Sequence, residues 1–170
     1  GPKKWVLKSP QHLEQILPLL NTFPDATFAI TYRDPLSVVL STATMLSYGD
    51  RVRRYQVDPK NNFSYWHNRI KTLLERFTAD YKLIPLDQKS DVFFHDLIKD
   101  NIKSVKSIYS KNSLKFSSLA NGEIEEYMKL NKRGKHGQVI YNLEDFNVDK
   151  SEFYESFKFY FDAFNVLKEI

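Results

Sequence analysis

The sequence predicts an α/β protein in which a parallel sheet is buried between helices. Two observations carry that reading. Segments 4–8 and 27–32 are short, nearly continuous apolar runs, as strands covered on both faces require. Each is followed by apolar residues at helical spacing, and strand, helix, strand, helix with short links gives a right-handed βαβ crossover.

Taken in order, Lys4-Trp5-Val6-Leu7-Lys8 reads as the first strand, stopped by Ser9-Pro10. From His12, the residues Leu13, Ile16, Leu17 and Leu20 trace a helix that Pro18 should shorten or kink. Asn21 to Asp25 supplies a turn, and Thr27 to Tyr32 is the best strand in the chain. Asp34 suits an N-cap and Pro35 the first helical position, where its missing N–H costs nothing. That helix runs through Val38, Val39, Ala43 and Met45 towards Tyr48-Gly49. An Arg-bearing connection turns at Asp58-Pro59-Lys60-Asn61-Asn62, and Trp66, Ile70, Leu73, Leu74, Phe77 and Tyr81 then mark one face of a long helix ending near Pro85. Asp91 to His95 reads as a third, short strand. Leu97, Ile98, Ile102, Val105, Ile108 and Tyr109 repeat with period 3.6 and predict one helix; another surrounds Ile124 to Met128. A basic loop follows at 131–138. The last helix carries Phe153, Phe157, Tyr160, Phe161, Phe164 and Leu167 on one side, a stripe that reads as core packing rather than a cofactor box.

Composition sets the limits. The 170 residues make about one domain, and 42% hydrophobic with 15% aromatic content is ample for a core and excludes a disordered chain. The absence of cysteine excludes a disulfide scaffold, thiolate metal sites and a Cys nucleophile. No apolar run approaches the roughly 20 residues needed to span a bilayer, so the reading is of a soluble globular protein or a piece of one. Net charge is +4, with basic residues gathered at Arg51-Arg53-Arg54 and at Lys132-Arg133-Lys135-His136. Such clusters admit an anionic ligand without requiring one. A nucleic-acid platform is disfavoured because nearly all aromatics fall on apolar helix faces. The four histidines are scattered without H-x-x-x-H spacing, so no metal site is expected, and G-x-S-x-G is missing.

In open parallel sheets, ligands bind beyond the carboxyl ends of the strands. Segments 8–12 and 33–35 therefore belong at one rim. Arg33 offers a planar fork suited to phosphate, the helix begun by Pro35 turns its positive end to the same space, and Ser37 and Ser41 lie four residues apart on that helix. Taken alone, an Arg-Asp-Pro joint is more often a simple cap beside a solvated Arg. Lys8 brings a compact charge to a strand end, and His12 has the side chain best suited to general base work near neutrality; a capping or solvated role remains its alternative.

Trp5-Val6-Leu7-Lys8-Ser9-Pro10-Gln11-His12-Leu13, then Phe23-Pro24-Asp25-Ala26, then Arg33-Asp34-Pro35 through Ser41, resembles the sulfotransferase family, in the branch that reads W-x-L-K-(S/T)-P-x-H, F-P-D-A, R-D-P and a later Ser. Looser likeness follows at Val92 to Leu97, at Arg133-Gly134-Lys135-His136-Gly137 and at Tyr141 to Phe146, so that most of the chain is covered. The resemblance implies a three-layer α/β fold with helices flanking a parallel sheet, related to P-loop nucleotide kinases. It implies transfer of a sulfuryl group from 3′-phosphoadenosine 5′-phosphosulfate to an acceptor hydroxyl or amine on a small molecule, glycan or lipid, with adenosine 3′,5′-bisphosphate left as product and no metal. Carried over by position, Arg33 and Ser41 hold the 3′-phosphate, as do Arg133 by charge and Gly134 by close backbone approach. Lys8 lies near the transferring group, and His12 deprotonates the acceptor.

One part of the family pattern is missing. The Gly-rich 5′-phosphosulfate loop is not in this chain, and no G-x-x-x-x-G-K-(S/T) replaces it. Residues 1–170 are therefore read as a single domain that is the C-terminal part of a sulfotransferase domain, with the N-terminal part as its partner and Gly1-Pro2 as either a tag-removal scar or native sequence. A non-catalytic nucleotide- or phosphate-binding module is the alternative. The compartment stays open, with the cytoplasm the expectation; acceptor and oligomeric state are not legible.

Overall fold

The computed structural model describes residues 5–132, 134–135, 137, 141 and 143–170. A 3-10 turn at Pro10–Glu14 leads into α1 (Ile16–Thr22), then β1 (Phe28–Tyr32), α2 (Pro35–Asp50) and α3 (Pro59–Asp80). Two further 3-10 turns precede β2 (Lys89–Phe93). After it come α4 (Phe94–Lys99), α5 (Asn101–Lys111), α6 (Ser118–Leu130), α7 (Leu143–Phe146), α8 (Lys150–Ser156) and α9 (Lys158–Ala163). β1 and β2 pair in parallel, Phe28 opposite Lys89 and Tyr32 opposite Phe93, with helices in the crossover between them. The α/β class and the parallel sheet read from the sequence are what the chain adopts.

Asp residues set the helix starts. Asp34, Asp58, Asp100 and Asp149 each accept a hydrogen bond from a backbone N–H in the first turn of α2, α3, α5 and α8 respectively. Proline follows directly in α2 and α3. α1 is short, 7 residues, as Pro18 predicts, and the proline falls in its first turn, where no intrahelical N–H is needed.

Alternation places Phe28, Ile30 and Tyr32 on one sheet face, level with Lys89, Asp91 and Phe93. Against that face pack the aromatic stripes of α3 and α9: Tyr32 stacks on Phe93 and meets Phe77, Tyr160 and Phe164 at centroid distances of 5.0–6.5 Å. Phe157 and Leu36 are fully buried in the same cluster. Asp91 is satisfied inside it by the hydroxyls of Tyr32 (2.7 Å) and Tyr81 (2.8 Å). Burial, and then the neighbouring carboxylate, raise both phenols, Tyr32 well above its ordinary range. On the opposite face the strands differ: Ser90 and Val92 are buried, while Ala29 and Thr31 are exposed.

Three expectations are corrected. Residues 5–8 form no strand; Trp5 and Val6 are 83% and 94% exposed, and β1 pairs only with β2 among the described residues. A lone strand cannot satisfy its own backbone, so an apolar run without a neighbour stays irregular. The helix read over 97–109 is two helices, because Asp100 stops α4 and caps α5 by accepting from the Lys103 N–H. The aromatic terminal helix is likewise broken, at Phe157, whose ring is wholly buried while its backbone leaves helical geometry (φ −109°, ψ 12°). Gly134, expected to permit close backbone approach, adopts φ 81°, a conformation that any residue with a Cβ takes at a cost. Arg133 and His136 of the same loop lie outside the described residues.

Candidate functional site

Arg33 leaves the end of β1 and is followed at once by the capping Asp34. Its guanidinium lies 4.1 Å above the Phe94 ring. Its Nε donates to Glu169 Oε1 and Oε2 (3.0 and 3.2 Å) and its Nη2 to Oε2 (2.9 Å), so one edge of the fork is taken side-on. Among the described residues Nη1 has no hydrogen-bond partner. Asp34 is fully buried and does three things: Oδ1 accepts from the Leu36 N–H (3.0 Å), and Oδ2 accepts from the Tyr154 hydroxyl (2.9 Å) and the Glu169 N–H (2.8 Å). Burial, then the Asp34 carboxylate, raise the Tyr154 phenol well above its usual value.

The positive end of α2 is less available than the sequence suggests. Pro35 has no N–H, Leu36 N–H is spent on Asp34 Oδ1 and Val38 N–H on the Asp34 carbonyl. Ser37 N–H remains, beside a Ser37 side chain that is 3% exposed. Ser41 is half-buried one turn further on, and its hydroxyl has no side-chain hydrogen bond among the described residues. The macrodipole of a 16-residue helix still favours an anion at this end, but few of its first-turn amides are open.

Lys8 is exposed, in the irregular segment before the 3-10 turn. His12 is half-buried within that turn. Neither side chain has a hydrogen bond or ion pair among the described residues. The turn is fixed to α3 instead by Glu14, which forms a close bidentate ion pair with Arg69 and whose carboxyl is held below its usual range by that bond. His67 packs among Phe63, Phe153 and Phe157 in the core. Ser156 Oγ donates to the Phe153 carbonyl (2.7 Å), so it accepts from His67 and fixes the imidazole proton on Nε2 (3.0 Å). Two hollows of about 430 and 420 Å³ lie elsewhere: the first, along α8, α9 and the C-terminal tail, is lined by Tyr154, Lys158, Phe161 and Lys168 among others, and the second, beside α2, by Thr44, Ser47, Tyr48 and Arg51 with Pro59, Asp145 and Phe146. Neither is lined by Arg33 or Ser41. Among the described residues no group of three acidic or imidazole side chains is placed to hold a metal.

The parallel sheet, with Arg-Asp-Pro at a strand end and a serine on the next helix, is the setting in which the comparisons fall. Residues 1–118 match the family model described as "Sulfotransferase family". The chain belongs to the sulfotransferase family. The fold agrees: sulfotransferase STF9 from Mycobacterium avium superposes with a TM-score of 0.85 at 18% identity, covering 99% of this chain and 43% of that one. Sulfotransferase STF1 from Mycobacterium tuberculosis H37Rv gives a TM-score of 0.71 at 25% identity, covering 91% of this chain and 39% of that one. This sulfotransferase chain thus spans less than half the length of either solved relative. A search of curated protein sequences returns no match. Among the described residues, no helix is long and apolar enough to cross a membrane.

Sequence reasoning missed Glu169 and Tyr154. Each lies more than a hundred residues from the Arg33-Asp34 pair that it binds, and neither sits in a local pattern. Only the fold brings them to the strand end.

Proposed function

We propose that this chain carries the 3′-phosphate-binding half of a sulfotransferase domain, the other half being supplied by an N-terminal part that completes the sheet. The donor is 3′-phosphoadenosine 5′-phosphosulfate, which supplies the activated sulfuryl group; a hydroxyl or amine of a small-molecule, glycan or lipid acceptor receives it. The observation that carries the reading is Arg33 at the end of β1, with an Nη1 edge that has no partner among the described residues, beside the start of α2 and the Ser41 hydroxyl further along it.

The side chains divide the work. Arg33 pairs with a phosphate through two parallel N–H···O bonds, a geometry that Lys cannot reproduce. Ser41 donates its hydroxyl proton to a phosphate oxygen, and Arg133 and Gly134 complete that grip from the loop. Lys8 neutralises charge gathering on the leaving oxygens, and His12 takes the proton of the acceptor as it attacks. Catalysis of such a transfer rests on alignment and on charge placed in advance, so the sites must be held still before the donor arrives.

Calorimetry with adenosine 3′,5′-bisphosphate tests the reading. Binding is expected for the 170-residue chain, weakened roughly 10- to 100-fold by Arg33→Ala and about fivefold by Ser41→Ala. Equal affinity for adenosine 5′-monophosphate would remove the 3′-phosphate from the proposal. With radiolabelled donor and mixed acceptors this chain alone should give no turnover, since it has no Gly-rich phosphosulfate loop. His12→Ala in the intact protein separates an enzyme from a binding module: the enzyme reading requires loss of turnover with bisphosphate binding retained.

A further inference from the structure

Arg33 and Asp34 are consecutive, and both grip the same distant residue. Asp34 takes the backbone N–H of Glu169 (2.8 Å), while Arg33 takes its carboxylate through Nε and Nη2. The tail is held at further points: the Tyr154 hydroxyl lies 3.0 Å from the Ile170 main-chain oxygen and Lys168 Nζ stands 4.1 Å over the Tyr154 ring. Phe94 supports the guanidinium plane at 4.1 Å. An Arg side chain has four rotatable bonds and gives up that freedom on binding an anion. Here the freedom is already removed: one edge is clamped, one face is stacked, and Nη1 has no partner among the described residues.

We infer that Glu169 is a positioning residue for the donor nucleotide, fixing the Arg33 guanidinium so that its Nη1 edge is presented to the 3′-phosphate. This rests on the reading of Arg33 as a phosphate ligand. A carboxylate this near carries a cost, because it repels an incoming dianion; the side-on clamp offsets it by presenting a pre-set fork, and the pair is only partly exposed, at 35% and 24% of side-chain area. Asp34 completes the device by anchoring the Glu169 backbone, so the carboxylate does not drift with the tail.

The test uses the 170-residue chain with Glu169→Gln, Glu169→Ala and Glu169→Asp. Nitrogen-15 NMR of the Arg33 side chain reads orientation without any nucleotide: the wild-type Nε–H should exchange slowly and the guanidinium rotate slowly, both quickened in the Gln and Ala variants. Titration should then show affinity for adenosine 3′,5′-bisphosphate falling about tenfold in Glu169→Ala, with adenosine 5′-monophosphate unaffected and Glu169→Asp intermediate. Unchanged Arg33 dynamics overturn the inference, as does tighter bisphosphate binding in Glu169→Ala, which would make the carboxylate a competitor. If Arg33→Gln loses the bisphosphate and Glu169→Ala does not, this inference fails alone. If the wild type ignores the 3′-phosphate, the donor-site reading fails with it.

Discussion

Two strand-and-turn segments with nearly the same local grammar end up in different states. Lys8-Ser9-Pro10 and Arg33-Asp34-Pro35 each put a cation, a capping-type residue and a proline after an apolar run. At 33–35 the run is a paired strand, the Asp is fully buried, and bonds arrive from residues 154 and 169. At 8–10 the run is irregular, Lys8 is exposed, and the Ser9 hydroxyl finds only Gln11 beside it. The difference is not in the turns but in what reaches them. A neighbouring strand and a returning tail convert one joint into a fixed site; the other has neither among the described residues.

The contrast is most strongly tested at Asp34. Asp34→Ala strips a cap and leaves the Tyr154 hydroxyl and the Glu169 N–H without their acceptor; unfolding in urea should show a loss of about 2–4 kcal/mol. A loss below about 0.5 kcal/mol, as expected for an ordinary surface substitution, would erase the distinction between the joints.

A second effect comes from the aromatic cluster behind the fixed joint. Burial first, then the positive charge of Lys71, lower the pKa of His67 from its ordinary value. The folded state therefore binds the imidazole proton less readily than the unfolded chain does. The stabilising contribution is complete above pH 6.5 and is lost as pH falls below that value towards the lowered folded pKa. Thermal melts from pH 7.5 down to 5 should show falling stability, and His67→Gln should flatten that part of the profile.

The open joint is probed by fluorescence. With Trp66→Phe, Trp5 is the remaining indole, and its 83% exposure predicts red-shifted emission and free quenching by acrylamide. A blue-shifted, protected Trp5 would mean that the first segment is packed after all. The smallest effect belongs to Glu14. Glu14→Gln removes the ion pair to Arg69 that ties the first turn to α3, and trypsin should then cut after Lys8 faster than in the wild type. An unchanged cleavage rate would show that other contacts hold the turn.

Much of this was legible in advance, and the pattern of misses is physical. Asp34-Pro35 located α2 because a cap and a proline act within one turn. The stripe from Trp66 to Tyr81 located α3, and Asp91 to His95 found β2 two residues late. The break at Asp100 was also written locally, as a capping residue inside an apolar period, and the period masked it. Trp5-Val6-Leu7 carries a strand's composition, but a strand is a property of two segments, and its neighbour is not among the described residues. The clasp at Arg33 was illegible for the same reason: the carboxylate that meets it stands 136 positions away.

The flank of β1 that faces away from β2 has no strand beside it among the described residues, and that has a practical consequence. Phe28-Ala29-Ile30-Thr31-Tyr32 contains no charge and no proline, the two features that usually keep a free ribbon from zipping onto a stranger. Kept by itself at high concentration, the polypeptide should turn cloudy by pairing copy to copy along that ribbon, and a short peptide laid alongside as a third rung should clear the solution.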